Sequence, residues 1–125
     1  MTKIKLPFVT IEYKEPITYL RFEENVLLDA QKVKVTGDAC LEITGGARYL
    51  MLTDATGTLD VTPEGRKTAA ESKNSGNIIA HAVIVKRLGQ RLIANVYEEV
   101  NKPSYPVKVF TEEEEAITWL LEQKR

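Results

Sequence analysis

The stretch YLMLTDATGT, residues 49–58, shows most directly what kind of fold this chain adopts. It begins with YLMLT, a short and almost entirely apolar run of the kind found in central strands that are covered on both faces. The run stops at Asp54, and hydroxyl-bearing residues and a glycine follow it. A buried strand that ends in this way predicts a loop at the carboxyl edge of an α/β sheet, which is where such sheets place ligands.

Four other segments are predicted strands. Residues 78–85 (IIAHAVIV) form a second apolar run, and residues 106–110 (PVKVF) form the last strand. Residues 3–13 and 17–22 alternate apolar and polar side chains, which predicts an antiparallel hairpin. In residues 3–13 the alternation changes parity beside Pro7, and this indicates a bulge or kink in an edge strand.

Residues 26–44 are ambiguous, because Val33 and Val35 alternate like a strand while other residues recur at helical spacing. The Gly45-Gly46 pair that follows is a common helix stop. We predict a helix here, although the segment KVKVTG has a low helix propensity. Its expected stripe consists of Leu27, Ala30, Val33, Gly37, Cys40, Leu41 and Thr44.

Three further helices are predicted. A hydroxyl cap at Thr62, followed by a proline, begins a helix that runs to about residue 73. Residues 88–100 carry an apolar stripe at helical spacing, and Thr111 with Glu114 forms a capping box that opens the last helix. The buried face of this last helix is expected to consist of Ala116, Ile117, Trp119 and Leu120. Loss of the Trp119 side chain should cost about 3–5 kcal/mol.

The element order is therefore β-β-α-β-α-β-α-β-α. Alternating strands and helices after an opening hairpin predict an α/β fold with a mixed β-sheet, parallel in its later strands, and helices packed on that sheet. A chain of 125 residues is expected to form a single domain that spans residues 1–125.

Composition excludes several classes of function. The chain is 43% hydrophobic and 28% charged with a net charge of -1, so it lacks the basic surplus of a nucleic-acid-binding domain. No apolar run is long enough to span a membrane, and the N-terminal residues do not form a signal peptide. The single cysteine, Cys40, excludes an intramolecular disulfide and suits a cytoplasmic location, which we expect.

Three blocks resemble one known family: GGARYLMLTDATGT (45–58), IIAHAVIVKRLGQRLIANVYEE (78–99) and PVKVFTEEEEAITWL (106–120). The chain resembles the SpoIIAA-like proteins, which share the fold of the STAS domain and of bacterial anti-sigma-factor antagonists. It is most similar to the uncharacterised bacterial branch labelled STAS/SEC14-like. The resemblance implies a non-enzymatic regulatory or protein-interaction domain, with a regulatory protein as a possible partner. The SEC14-like label implies the alternative, a module that binds a lipid or a nucleotide.

The resemblance also identifies a departure from the family at the loop after residue 53. In the antagonists this strand ends in an aspartate followed at once by a serine that a kinase phosphorylates. Asp54 matches the aspartate, but Ala55 stands where the serine is expected, and Thr56 comes one residue later. The next helix also begins later, near Thr62. The usual phosphorylation switch is therefore not expected here.

Two interpretations of this loop stay open. It could bind an anion or accept a phosphoryl group, with the candidate ligand or partner site formed by Asp54, Thr56, Gly57, Thr58 and Arg66. It could instead be a turn that Asp54 caps and in which Gly57 supplies a positive φ. The sequence contains no phosphate-binding loop of the Gly-x-x-x-x-Gly-Lys type.

The helix after Thr62 is also open to two interpretations. Its inward face offers only Gly65, Ala69 and Ser72, or Ala70 and Lys73, so small residues could pack closely against the sheet. Alternatively, the helix faces a partner or an anionic ligand through Arg66 and Lys67.

No residue pattern predicts catalysis, a metal or a cofactor. His81 is the only histidine, so it is expected to be a hydrogen-bonded core residue, and Cys40 is expected to be a small apolar one. The polar residues near the loop form no nucleophile–base pair. These residues are Asp54, Thr56, Asp60, Glu64 and Arg66.

The N-terminal hairpin predicts a homodimer. Ile4, Leu6 and Phe8 have one parity, whereas Val9, Ile11 and Tyr13 have the other. A monomer that buries one set leaves the other exposed, and an exposed apolar patch of this size marks an interface. We expect a two-fold dimer through this hairpin unless a bulge turns both sets inward.

Overall fold

The computed structural model describes residues 2–57, 60–70, 77–86 and 105–123. Its strands are β1 Lys3–Lys5, β2 Val9–Lys14, β3 Ile17–Phe22, β4 Leu27–Leu28, β5 Tyr49–Asp54, β6 Asp60–Val61, β7 Ile78–Ile84 and β8 Val107–Phe110. Its helices are α1 Ala30–Thr44, α2 Pro63–Ala70 and α3 Glu113–Glu122. The helix predicted over residues 88–100 lies outside the described residues. None of the described helices is long and apolar enough to cross a lipid bilayer.

Six of the strands form one mixed sheet in the order β1-β2-β3-β5-β7-β8. The first three are antiparallel, whereas β3, β5, β7 and β8 run parallel to one another. The predicted mixed sheet with parallel later strands is thus confirmed. Strands β4 and β6 form a separate short parallel pair beside the main sheet.

The prediction of one strand over residues 3–13 is wrong, because this segment is a hairpin of its own. The chain turns at Leu6, whose N–H donates to the Val9 carbonyl at 2.8 Å, and Ile4 then pairs with Ile11 across the two strands. This reversal places both parity sets on one side of the sheet. Val9 and Ile11 are fully buried there, and the partly buried side chains packed against their cluster include Ile4, Leu6, Phe8 and Tyr13. The second exposed apolar face, on which the dimer prediction was based, does not exist.

Helix α1 confirms the helical interpretation of residues 26–44, with different limits. Asp29 caps its N-terminus by accepting from the Lys32 N–H at 2.9 Å, and Gly45 ends it in the left-handed region at φ 64°. Leu27 lies before the helix in β4 and is 57% exposed, so it is not part of the stripe. The buried residues of the helix are Thr36, Ala39, Cys40, Ile43 and Thr44. The buried face is rotated from the predicted one because α1 packs on both β2 and α2.

Helix α2 begins as predicted, since the Thr62 hydroxyl accepts from the Gly65 N–H at 2.9 Å. It is described as far as Ala70, and its predicted end at residue 73 lies outside the described residues. The helix packs mainly on α1, whereas one of the two interpretations of the sequence placed its small residues against the sheet. Gly65 is buried, and a Cβ atom at this position would lie 2.5 Å from the Leu28 carbonyl oxygen. Close packing of small residues therefore does occur, but against β4 and α1.

Helix α3 covers the opposite side of the sheet, where it packs mainly on β5, β7 and β8. Its N-cap is Glu112, which makes no side-chain cap bond, so the predicted capping box at Thr111 is wrong. Three first-turn glutamates, Glu113–Glu115, instead favour this end of the helix by their charge. Ala116 and Leu120 are fully buried, whereas Trp119 is half-buried with its ring 5.7 Å from that of Phe110.

The close approach at Gly65 yields a prediction with an unusual sign. Glycine to alanine inside a helix ordinarily stabilises it by about 1 kcal/mol. We expect Gly65→Ala to destabilise the protein instead, by about 1–3 kcal/mol, because the added methyl group meets the Leu28 backbone. Urea unfolding measures the change, and Lys67→Ala at an exposed position of the same helix is the control. A more stable Gly65→Ala variant would contradict the described packing of α2.

Candidate functional site

Asp54 is the last residue of β5, and its carboxylate organises the loop that follows. Its Oδ1 atom accepts hydrogen bonds from the Thr56 N–H at 3.0 Å and from the Thr56 hydroxyl at 2.6 Å. A carboxylate that bonds its own backbone two residues further on forms a tight local turn. The interpretation of Asp54 as the cap of a turn is therefore confirmed.

Arg21 joins this loop to two other elements. Parallel pairing of β3 and β5 places Arg21 opposite Asp54, and its Nη1 atom lies 3.4 Å from Asp54 Oδ2. The same Nη1 atom lies 3.2 Å from Glu113 Oε1 at the start of α3. We call Arg21, Asp54, Thr56 and Glu113 the carboxyl-edge patch. Its three charged side chains remain between 27% and 44% exposed, so the patch is open to solvent.

Gly57 does not have the role that the sequence suggested. Positive φ values occur in this part of the chain at Asn25, with φ 59°, and not at Gly57. The two residues are linked, because the Asn25 N–H donates to the Gly57 carbonyl at 2.9 Å. A Cβ atom on Gly57 would lie 3.3 Å from the Glu24 Cα atom. Gly57 therefore lies at a close approach of two backbone segments, where an added side chain would require the Glu24 backbone to shift by a few tenths of an ångström.

The other two predicted site residues do not add to the patch. Arg66 lies on α2 and donates from Nη1 to the Val61 carbonyl at 3.3 Å, within its own segment. Among the described residues no hydrogen bond or ion pair links Arg66 with Asp54 or Thr56. Thr58 lies outside the described residues. Arg66 as part of a ligand or partner site stays a prediction.

The chemistry available at the patch is recognition by charge and hydrogen bonds. Both oxygens of Asp54 already have partners, one in Thr56 and one in Arg21. In the parts of the chain that the structure describes, no three or more His, Cys, Asp or Glu side chains come together as metal ligands would. An exposed guanidinium between two carboxylates presents both signs of charge to an approaching molecule.

Arg21 and Glu113 were missed at the level of sequence. Arg21 is 33 residues from Asp54 and Glu113 is 92 residues from Arg21, so no local motif connects them. Only the strand order could have identified Arg21, because it lies one residue before the end of the strand that pairs in parallel with β5.

A second group of polar side chains lies on the other side of the sheet, which α1 covers. Thr18 on β3 and His81 on β7 lie in one row, on either side of Met51 of β5. The Thr53 hydroxyl lies 2.7 Å from His81 Nε2. His81 is thus the hydrogen-bonded residue that the sequence predicts. Two buried atoms in this region have no hydrogen-bond partner among the described residues, Thr18 Oγ1 and His81 Nδ1, whereas the Tyr49 hydroxyl lies beside the Cys40 thiol.

Burial decides the charge states in this region. It lowers the pKa of His81 to about 4, so the imidazole is neutral at physiological pH. It raises the pKa of the Cys40 thiol to about 12, against a smaller lowering effect of the nearby Tyr49 hydroxyl. Burial likewise raises the pKa of Tyr49. Cys40 is consequently a protonated thiol and a weak nucleophile. This agrees with the prediction that Cys40 is a small apolar core residue.

Comparison with known proteins identifies a family and a fold. The sequence model of a domain of unknown function, DUF7793, matches residues 11–124. No curated protein matches this chain significantly. Among solved structures the chain is similar to an uncharacterised protein of the DUF3478 family from Shewanella loihica PV-4, described as having a SpoIIAA-like fold. The two share 19% identity over 90% of this chain and 91% of the other, with a TM-score of 0.63. The predicted SpoIIAA-like fold is thereby confirmed.

The lowered pKa of His81 predicts how stability depends on pH. The unfolded state takes up a proton near pH 6.5, whereas the folded state does so only near pH 4. The free energy of unfolding therefore has its full value above about pH 6.5, and it decreases as the pH falls from 6.5 towards 4. Between pH 7 and pH 5 we expect the wild type to lose about 2 kcal/mol more than His81→Gln. Urea unfolding at both pH values measures this difference, and parallel losses in the two proteins would contradict it.

Proposed function

This chain belongs to the DUF7793 family of domains of unknown function, and we propose that it is a non-enzymatic regulatory domain that binds a protein partner. The proposed contact surface is the carboxyl-edge patch, formed by Arg21, Asp54, Thr56 and Glu113. Arg66 on α2 is a candidate to extend this surface. We expect the protein to act in the cytoplasm, because a chain with a single, buried cysteine has no internal disulfide that an oxidising compartment would maintain.

The Arg21 bridge is the observation that carries this proposal. One guanidinium links the end of β3, the loop after β5 and the first turn of α3, and all three side chains keep exposed surface. Exposed ion pairs of this kind contribute only about 0–1 kcal/mol to folding. Their value to a regulatory domain lies elsewhere, because exposed charges of both signs fix the orientation of a partner and speed its association.

The state of Asp54 supports a function without catalysis. Asp54 Oδ1 accepts two hydrogen bonds from Thr56, and Oδ2 lies 3.4 Å from Arg21 Nη1, so the carboxylate holds the loop and the adjacent strand together. The Thr56 hydroxyl takes part in the same turn, because it donates a hydrogen bond to Asp54 Oδ1 at 2.6 Å. In the anti-sigma-factor antagonists that this chain resembles, the region equivalent to α2 is the partner-binding surface, which supports Arg66 as an extension of the contact surface.

Affinity capture from lysate of the native organism tests the proposal, with Arg21→Glu as the test variant. This substitution places three negative side chains together and should abolish capture of any partner that the wild type enriches, by at least tenfold. Lys34→Glu makes the same change of charge at an exposed position of α1, on the other side of the sheet, and should leave capture intact. Equal capture by wild type and Arg21→Glu, or no specific capture at all, would reject the proposal.

A small-molecule-binding module is the second candidate function. It is supported by Thr18 Oγ1 and His81 Nδ1 on the α1 side of the sheet, since a buried polar atom without a protein partner commonly bonds water or a ligand. Leu92 and Val96, which could line such a site, lie outside the described residues. The ligand class would be a lipid or a nucleotide with a polar group near Thr18 and His81.

Native mass spectrometry of freshly purified protein tests this second function. We expect an adduct of constant mass that Thr18→Val weakens, because valine keeps the volume of the side chain and removes the hydroxyl. Thr10→Val on the opposite side of the sheet is the matched control. A clean mass of the chain alone would reject ligand binding.

Homodimerisation through the N-terminal hairpin also remains a proposal. The exposed second apolar face no longer supports it, but the position of β1 at the end of the sheet does. The outer backbone groups of an edge strand are available to another chain.

A further inference from the structure

Helix α3 covers only part of its side of the sheet. It packs mainly on β5, β7 and β8, whereas α1 and α2 lie together on the opposite side. Most of the surface of β1, β2 and β3 on the α3 side therefore has no helix above it among the described residues. We call this surface the bare sheet face.

The strand register defines which side chains form the bare sheet face. Ile4 pairs with Ile11 on the α1 side, so their neighbours along each strand point to the α3 side. Lys3, Lys5 and Lys14 are exposed there, together with Arg21, which the carboxyl-edge patch already engages. The remaining side chains on this side of the strands are Thr10, Glu12, Tyr19 and Ile17, of which Ile17 is buried. The face thus carries a surplus of positive charge, and Lys14 Nζ lies 5.5 Å from the centre of the Tyr19 ring.

Helix α3 carries the opposite charge on its solvent side. Glu112, Glu114, Glu115 and Glu122 are all exposed. On the flank towards β3, Glu113 contacts Arg21, and helical periodicity places Ile117 and Leu121 along the same flank. Leu121 is 48% exposed, one of the large apolar side chains left open to solvent. The helix therefore offers an acidic outer side next to an apolar flank.

These two surfaces lie side by side on the same side of one sheet, and this arrangement permits two-fold symmetry. If two copies face each other, each α3 can lie on the bare sheet face of the other, and both contacts form at once. We infer that a second copy of this chain docks in this way. The result is a symmetric dimer with the two α3 helices enclosed between two sheets.

Charge and shape both favour a second copy as the occupant. The acidic outer side of α3 meets a face on which Lys3, Lys5 and Lys14 outnumber Glu12, so the contact is attractive overall. The two α3 helices lie next to each other near the axis, so that Leu121 and Ile117 of one copy can pack against the same residues of the other. The dimer therefore buries the exposed leucine as well as completing the coverage of the sheet.

This inference rests on the proposed homodimer through the N-terminal hairpin, and it names the surface that the hairpin contacts. It differs from edge-to-edge pairing of β1, which would not involve α3. It is also separate from the partner contact at the carboxyl-edge patch, because its test leaves Arg21, Asp54 and Thr56 unchanged.

Two charge-reversed variants test the inference. The first, Lys3→Glu with Lys5→Glu and Lys14→Glu, makes the bare sheet face acidic. The second, Glu114→Lys with Glu115→Lys and Glu122→Lys, makes the outer side of α3 basic. Sedimentation equilibrium measures the mass of each against the 14.1 kDa of one chain, and urea unfolding verifies that each is folded.

The expected results are specific to this geometry. The wild type forms a dimer that weakens as salt is added, and each variant alone is monomeric because like charges meet. An equal mixture of the two variants restores a dimer, since every contact between them again joins opposite charges. Leu121→Lys weakens the wild-type dimer at least tenfold.

Three results would overturn the inference. The first is a wild type that stays monomeric to the highest soluble concentration, which also removes the hairpin dimer. The second is a dimer that the α3 variant retains, which leaves edge pairing of β1 as the dimer contact. The third is a pair of monomeric variants that do not associate when mixed.

Discussion

Strand β5 pairs in parallel with β3 on one side and with β7 on the other, and this double pairing brings Asp54 to Arg21 and Thr53 to His81. The register with β3 brings Arg21 to Asp54 at the carboxyl edge. The register with β7 brings His81 within reach of Thr53 on the α1 side. Because successive side chains of a strand point to opposite sides, one strand supplies both the exposed charged site and the buried polar one.

The two sites differ in what surrounds them. At the carboxyl edge, water screens Arg21 and its carboxylates, so the charges persist and contribute little to folding. On the α1 side the same sheet excludes water, and burial there keeps His81 neutral and Cys40 protonated. Substitution of the exposed charges is therefore expected to leave the buried core unchanged.

The sequence predicts much of the fold because its strongest patterns are local. YLMLT and IIAHAVIV are recognisable as central strands, and Thr62 as a helix cap, from a few neighbouring residues. The incorrect predictions concern segments whose conformation depends on contacts with residues far away in the sequence. The parity change at Pro7 is a turn in which β1 folds back on β2, and Gly57 lies against the Glu24 backbone without a positive φ. Arg21 could not be assigned to the site without the strand order.

The burial of Cys40 has a practical consequence. It is the only cysteine of the chain, 1% exposed between α1 and the sheet, and its thiol stays protonated at neutral pH. A thiol-specific reagent can therefore modify the protein only when α1 separates from the sheet. The rate of modification becomes a measure of how often that separation occurs. The chain thus carries its own built-in reporter of local opening, and a second cysteine placed on the surface can be labelled selectively.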